Sequence, residues 1–253
     1  MRAAYDGIYF DLRRSIDEGV YQYKDYLPSE SILVKRYGCA HNTVRKALSI
    51  LAREGYVQPI HGKGVRVLYR PAQVATDDKR IYDLNAIEPF FKSGNHGDFV
   101  VRTKVLVMDQ LDASPEFAAA TGFDTGAKLI HMERVRYIDD KPLEREINFF
   151  RADIVEGITK EDAENSVYHY IEDVRGGKLV TSKRQVTIEH ADARDYELLS
   201  MEDANYVAVV RCATFDGEGL LCEISTVRHT PQTFRVEHTA LRTRISRVKQ
   251  DED

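Results

Sequence analysis

The sequence has few cysteines and no long apolar run. Its three cysteines, Cys39, Cys212 and Cys222, are odd in number and show no Cys-x-x-Cys spacing, which argues against a disulfide framework or a zinc site. No segment approaches the roughly 18 consecutive apolar residues that a membrane span needs. The first residues also have no apolar core of the signal-peptide type. We therefore expect a cytoplasmic protein that makes no contact with a membrane.

The sequence patterns of common enzyme classes are also missing. The chain has no P-loop, no Gly-x-Gly-x-x-Gly run and no arrangement typical of a catalytic triad. Its histidines are scattered without the spacing of metal ligands. We therefore expect that the protein is not an enzyme and holds neither a metal nor another cofactor.

The charge of the chain is unevenly distributed along its 253 residues. Residues 1–70 contain 12 Lys and Arg against 7 Asp and Glu, which gives this segment a net charge of +5. The remainder contains 24 basic and 34 acidic residues, a net charge of −10. The basic segment 1–70, which we call the head, is followed by an acidic remainder. This distribution indicates that only the head binds a polyanion.

The basic head has the pattern of a helix-turn-helix. A first helix is predicted between Tyr5 and Ile16, where apolar residues recur at helical spacing. A second runs from a cap at Ser29 to a stop at Gly38, and a third is centred on the apolar positions after Val44. The brief turn between the second and third helices is typical of this DNA-binding motif.

Two short β-rich runs follow, at residues 56–60 and 65–69. The segment His61-Gly62-Lys63-Gly64 joins them, and two glycines around a lysine predict a tight hairpin with a cationic tip. Such a tip can approach a phosphate or enter a minor groove. The hairpin is therefore predicted to be the wing of a winged helix-turn-helix.

The motifs of this head resemble those of GntR-type transcription regulators. They are Leu27-Pro28-Ser29-Glu30, Asn42-Thr43-Val44-Arg45-Lys46-Ala47-Leu48, Leu51-Ala52-Arg53-Glu54-Gly55-Tyr56 and Gly62-Lys63-Gly64. The resemblance implies that the third helix lies in the major groove of double-stranded operator DNA. The DNA-binding residues that it implies are Ser29, His41, Asn42, Thr43, Arg45, His61, Gly62 and Lys63.

The chemistry of the third helix agrees with that role. Arg45 can bond a guanine edge or hold a phosphate, and Asn42 suits adenine, although either could simply be part of a solvated helix face. The sequence departs from the family at two places: Ala40 replaces the usual Ser or Thr, and His41 stands where Arg is usual. Operator preference can therefore differ from that of relatives, and affinity can depend on pH near the histidine pKa.

The rest of the chain predicts a second domain of α+β class with a mostly antiparallel sheet. We expect a DNA-binding domain at 1–70, a linker at 71–80, and an effector-binding and dimerisation domain at 81–245. The predicted elements of this second domain are strands at 98–108, 129–138, 143–150, 179–189, 206–215 and 220–229, and helices at 115–122 and 165–172.

The second domain resembles the ligand-sensing domain of the HutC branch of GntR regulators, whose fold is like that of chorismate lyase. The matching residues are Arg134-x-Arg136, Pro142-Leu143-x-x-Glu146 and the strand 223–229. The run 164–172, with Arg228-His229 and Phe234-Arg235, is closer still to trehalose operon repressors.

Six residues are predicted to form the effector site of this domain. Arg134 and Arg136 share one face of a strand, and paired guanidiniums suit a phosphate or a carboxylate. Glu146 could anchor sugar hydroxyls or orient an arginine, and Ser166 at a helix start could help to hold an anion. Glu223 and His229 share a strand face. The alternative for the two arginines is a surface ion pair with Glu144 or Glu146.

Together these patterns predict a metabolite-responsive repressor, expected as a homodimer on a palindromic operator. The resemblance implies trehalose 6-phosphate as the effector, and glucosamine 6-phosphate is an alternative sugar phosphate. An enzyme of the chorismate-lyase type is the alternative from a different class. The head argues against it, because an enzyme has no use for a recognition helix and a cationic wing.

Overall fold

A computed structural model describes residues 4–69, 82–83, 94–95, 100–232 and 234–237 of the chain. The chain divides into two compact units, of which the first includes residues 4–69 and the second residues 82–237. The predicted linker at 71–80 and the end of the predicted second domain, 238–245, lie outside the described residues.

The first unit begins with three helices, as the sequence predicts. They are α1 (Ala4–Asp17), α2 (Glu30–Tyr37) and α3 (His41–Arg53). Ser29 caps α2, since its Oγ accepts a hydrogen bond from the amide of Ile32 at 3.4 Å. Gly38 ends the helix in the left-handed conformation, with a φ of 60° that glycine adopts without steric cost. The apolar faces of the helices meet in a core that includes Ile8, Leu12, Ile16, Leu33, Val44, Leu48 and Leu51.

A β-hairpin completes this unit and confirms the predicted wing fold. Strand β1 (Val57–Ile60) pairs antiparallel with β2 (Gly64–Val67). Gly62 in the turn and Gly64 at the start of β2 have positive φ, 72° and 106°, which explains why both positions are glycine. The segment before α2 also lies along β2, since the amide of Leu27 donates to the carbonyl of Val65 at 2.9 Å. That contact was not predicted.

The second unit contains a long antiparallel sheet, as its pattern predicts. The strands are β3 (Tyr82–Asp83), β4 (Gly94–Asn95), β5 (Val100–Asp112), β6 (Lys128–Ile138), β7 (Lys141–Arg151), β8 (Leu179–His190), β9 (Tyr206–Asp216), β10 (Leu221–His229) and β11 (Val236–Glu237). Seven of them form one sheet in the order β4-β5-β6-β7-β10-β9-β8, while β3 and β11 form a separate parallel pair.

The helices of the second unit are short, and they differ from the prediction. They are α4 (Pro115–Thr121), α5 (Lys160–Asn165), α6 (Val167–His169), a π-helical turn (Tyr170–Val174) and α7 (Ala193–Leu198). The single helix predicted at 165–172 was wrong, because Ser166 adopts an extended conformation and separates α5 from α6. Helix α7 was not predicted; its six residues are too few for a periodic apolar pattern.

One side of the sheet packs against α5, α6 and the π-helical turn. Met132 and Phe150 on the strands are buried against residues of these helices, including Ala163, Val167 and Ile171. We call this side the front face, and the opposite side, which carries α7, the back face. Because side chains alternate along a strand, neighbouring residues of β6, β7 and β10 serve different faces.

Candidate DNA-binding surface and candidate effector site

The first turns of α3 present polar side chains outward. His41, Asn42 and Arg45 are exposed and Thr43 is half-buried, whereas Val44 is fully buried in the core. Ala40, the cap residue just before the helix, makes no side-chain cap hydrogen bond. The residues predicted to contact DNA therefore share one outward surface, and the cap that Ser or Thr would supply is absent at Ala40.

A carboxylate that was not predicted stands next to this surface. Arg45 Nε donates to Glu30 Oε2 at 2.8 Å, and His41 Nδ1 lies 3.8 Å from the same oxygen. The Arg45 side chain is 63% exposed, and an exposed ion pair contributes only about 0–1 kcal/mol. Glu30 can thus orient Arg45 in the absence of DNA and still release it at little cost.

The turn of the wing presents the other predicted DNA contacts. His61, Gly62 and Lys63 are all exposed. The amide of Lys63 donates to the carbonyl of Ile60 at 3.0 Å, which closes the turn and fixes the backbone at its tip. The lysine side chain therefore projects from an ordered hairpin.

In the second unit, Glu146 bridges the two predicted effector-binding arginines on the front face. Its Oε2 accepts from Arg134 Nη2 at 2.5 Å, and its Oε1 lies 2.6 Å from Arg136 Nη2. Arg136 Nε also lies 3.6 Å from Glu144 Oε2. All four side chains are no more than 8% exposed. The ion pairs considered as an alternative are thus present, and they are buried rather than on the surface.

Asn148 extends this cluster to the predicted residue Glu223. Its Oδ1 accepts from Arg134 Nη2 at 3.1 Å, and its Nδ2 donates to Glu223 Oε1 at 2.8 Å. Tyr168 of α6 donates its hydroxyl to the other oxygen of Glu223 at 2.5 Å. Neither Asn148 nor Tyr168 was predicted. The alternation of Glu144, Glu146 and Asn148 along β7 was a signal that could have identified the asparagine.

Of the last two predicted residues, His229 contacts the Glu144 end of the cluster, whereas Ser166 caps α6. His229 Nδ1 lies 3.5 Å from Glu144 Oε1, and its ring packs against Phe234 with ring centroids 4.7 Å apart. Ser166 is buried, and its Oγ accepts from the amide of His169 at 3.2 Å, so its oxygen caps its own short helix. Five of the six predicted residues are therefore linked by polar contacts, and Ser166 precedes Tyr168 by two residues.

The charges of this cluster are close to balanced. Two guanidiniums face the carboxylates of Glu144 and Glu146, and burial raises the pKa of Glu223, which favours its neutral form. Burial also raises the pKa of Tyr168 well above its usual value. Arg134 Nε is buried and donates to no residue that the structure describes. The cluster thus holds both arginines through several polar contacts and leaves Arg134 Nε without an acceptor among the described residues.

The back face carries a separate ion network that involves the same strands. Asp195 of α7 is fully buried and accepts from Arg228 Nη2 at 2.7 Å and from Arg145 Nη1 at 3.2 Å. Arg228 and Arg145 are opposite each other in the β10–β7 register. Arg228 therefore anchors α7, although its neighbour His229 belongs to the front-face cluster.

A cavity of about 700 Å³ opens near the other end of β6. Its lining includes Met108, Ile130 and Leu220, together with the charged side chains of Lys128 and Arg151. Ile130 precedes Arg134 by four residues, and Met132 lies buried between them. The cavity is thus a place on the sensing unit with room for a small molecule.

Two further properties of the described residues concern metals and membranes. Within these ranges, no group of three or more His, Cys, Asp or Glu side chains is placed to hold a metal ion. None of the helices that the structure describes is both long and apolar enough to cross a bilayer.

Comparison with known proteins identifies both units. Residues 4–67 match the family of bacterial regulatory proteins called gntR, and residues 97–235 match the UTRA domain. The chain therefore belongs to the GntR family of transcription regulators, in the HutC branch that carries a UTRA domain. This makes it a DNA-binding regulator with a small-molecule effector domain, and its relatives are regulators rather than enzymes.

Three similar proteins show the extent of the likeness. The chain is 29% identical over 228 residues to the regulator TreR of Bacillus subtilis (strain 168), covering 90% of this chain and 93% of TreR. It superposes on the possible transcriptional regulator YydK of Bacillus subtilis with a TM-score of 0.74 at 21% identity, covering 95% of this chain and 100% of YydK. The effector-binding domain of the Bacillus subtilis trehalose repressor gives a TM-score of 0.51 at 25% identity, covering 56% of this chain and 99% of that domain.

Proposed function

We propose that the protein is a repressor controlled by a small phosphorylated sugar, and that this sugar is trehalose 6-phosphate. The observation that carries the proposal is the buried arginine pair of the front face, held by one shared carboxylate. The similarity to TreR, whose solved effector-binding domain is that of a trehalose repressor, supports the choice of sugar. In this proposal residues 1–70 bind DNA, and residues 81–245 bind the effector and form the dimer.

The DNA contacts in this proposal come from α3 and the wing. Arg45 and Asn42 read base edges, while Thr43 and His41 contact bases or phosphates near the start of the recognition helix. Ser29 at the start of α2 and the wing residues His61, Gly62 and Lys63 hold the DNA backbone or enter the minor groove. One such helix contacts few base pairs, so a homodimer on two half-sites supplies the specificity.

The effector site in this proposal uses side-chain contacts that are already formed in the structure. Arg134 and Arg136 hold the phosphoryl group, with Arg134 Nε as one buried donor that no described residue already occupies. Glu223 and Glu146 accept hydrogen bonds from sugar hydroxyls, and Ser166 and His229 complete the site. Because the two arginines are already fixed by Glu146, little side-chain freedom is lost when the ligand binds.

Calorimetry on the full-length protein tests the effector assignment. Trehalose 6-phosphate, trehalose and glucosamine 6-phosphate are titrated into wild type, Arg134→Ala and Arg151→Ala. Arg151 is a matched control because it lines the cavity at the other end of β6. We expect trehalose 6-phosphate to bind most tightly and Arg134→Ala to weaken it at least tenfold, since a hydrogen bond to a charged group contributes about 1.5–3 kcal/mol. Operator binding should stay intact in both variants.

Three other outcomes would change the proposal. Equal affinity for trehalose and its phosphate would mean that the arginine pair does not recognise a phosphate. Tighter binding of glucosamine 6-phosphate would keep the repressor but replace the sugar. A loss of binding in Arg151→Ala alone would move the site to the cavity. If the effector releases DNA, it must also bind more weakly to the DNA-bound protein, because the coupling is reciprocal.

A further inference from the structure

Strand β8 forms one edge of the seven-stranded sheet. Its inner side pairs with β9 from Leu179 to His190, and no residue within the described ranges pairs with its outer side. Three apolar side chains along this strand are exposed: Val180 at 53%, Val186 at 38% and Ile188 at 64%. A strand edge of this length presents a row of backbone donors and acceptors that readily pair with another strand.

The opposite edge of the sheet has features that prevent another strand from pairing with it. There β5 pairs with β4 at one end and has a bulge between Val105 and Val107. Next to the bulge, the amide of Val105 donates to Glu164 Oε1 of α5 at 3.0 Å. Bulges and side-chain covers of this kind prevent a further strand from adding. In β8 the register shift lies at its first residues, 179–181, and the long stretch after it stays regular.

We propose that the outer edge of β8 pairs antiparallel with β8 of a second copy of this chain, about a two-fold axis at Val186. The inference rests on the homodimer of the proposed function and specifies its interface. Pairing about a two-fold axis is isologous, so the same residues contribute from both copies. It would join the two sheets into one.

The charges of β8 select this register. With the axis at Val186, Lys183 lies opposite the partner's Glu189, and the symmetry makes this pair twice. An axis at Lys183 or at Arg184 would instead place like charges directly opposite each other, which is destabilising. Axes at Gln185 or Thr187 place Lys183 opposite an uncharged residue. Glu189 is held in position by Arg211, whose Nη2 donates to its Oε2 at 3.0 Å.

The same register also brings apolar groups together. Val186 lies against its own copy, and Ile188 lies opposite the aliphatic part of the partner's Arg184. Both exposed apolar residues near the axis would thus become covered. Val180 lies six residues from the axis, so the two copies of Val180 would be separated by twelve residues of strand, roughly 40 Å.

Disulfide trapping in the full-length protein tests this arrangement. In Val186→Cys the two new cysteines would face each other across the axis, within the Cα separation of about 4.4–6.8 Å that a disulfide needs. Val180→Cys is the matched control, since it makes the same substitution at another exposed valine of β8. We expect mild oxidation to give a covalent dimer with Val186→Cys, and none with Val180→Cys or with wild type. Sedimentation velocity of reduced wild type reports the oligomeric state independently.

The outcomes distinguish a failure of the proposed β8 interface from a failure of the proposed homodimer. A dimeric wild type with no trapping at residue 186 would overturn the β8 pairing and leave the proposed homodimer intact. A monomeric wild type would overturn both. Equal trapping at residues 180 and 186 would also overturn the β8 pairing, because one register cannot bring both pairs of cysteines into contact.

Discussion

The two units place the charges that we propose to bind ligands in opposite environments. In the DNA-binding unit, Arg45 and Lys63 are exposed, and the contact of Arg45 with Glu30 is an exposed ion pair. In the sensing unit, Arg134, Arg136 and Glu146 are almost completely buried. Exposed cations suit a ligand that is itself a large polyanion, whereas a small ligand needs groups that are fixed and shielded from water. The difference predicts that substitutions in the two units will have different consequences.

The largest effect is expected from Glu146→Gln. Removing this carboxylate leaves two buried guanidiniums without their shared partner, and breaking a buried pair in this way costs about 3–5 kcal/mol. Urea unfolding of the full-length protein measures the loss in the free energy of unfolding. Glu197→Gln is the control, because Glu197 pairs with Arg194 at 2.8 Å on the surface and is 61% exposed. Similar losses in both variants would contradict the contrast between buried and exposed charges.

How much the sequence predicts also differs between the two units. The helices and the wing of the head follow from local signals such as the cap Ser29 and the stop Gly38, and these elements form as predicted. In the sensing unit the strands follow from alternation, which also places Arg134 and Arg136 on one face. Alternation along β7 could have placed Asn148 on the face of Glu144 and Glu146, but the sequence could not predict that Asn148 and Tyr168 contact Glu223. Those contacts depend on how β7, β10 and α6 pack. Tyr168 and Asn148 lie 55 and 75 residues before Glu223 in the chain, so no local sequence pattern records the contacts.

The break at Ser166 shows a second kind of limit. The apolar spacing across residues 165–172 suits a continuous helix, and the prediction followed it. In the structure Thr159 and Asp162 form a capping box that starts α5 earlier, and Ser166 then caps a new helix. Serine hydrogen-bonds to nearby backbone amides and so competes with helix continuation.

A smaller effect is expected from Arg45→Ala on operator binding. If Arg45 reads a base, its loss costs about 1–3 kcal/mol and relaxes specificity at one position of the operator. Arg53→Ala is the matched control, since it removes the same charge from the last turn of α3. Titration against operator fragments, with and without a base change in each half-site, measures both quantities. An equal loss in the two variants would mean that charge alone accounts for the contribution of Arg45.

Lys63→Ala should have a weaker effect that does not depend on operator sequence. A lysine that contacts a phosphate releases a counterion, so its loss reduces the slope of log affinity against log salt concentration by about 1. Measurements on specific and nonspecific DNA over a range of salt concentrations test this. An unchanged slope would remove the wing tip from the proposed DNA-binding surface.

The smallest effect is expected from Ala40→Ser, and it is a gain. Ala40 has the extended conformation of a helix cap, with φ −75° and ψ 153°, yet supplies no side-chain hydrogen bond to α3. A serine there can accept from an amide of the first turn, and caps of this kind contribute about 0.5–2 kcal/mol. Ala52→Ser is the matched control, because serine in the interior of the same helix should lower stability slightly. We therefore expect the two substitutions to shift the unfolding free energy in opposite directions. A loss of stability in both would mean that the start of α3 cannot use a hydroxyl cap.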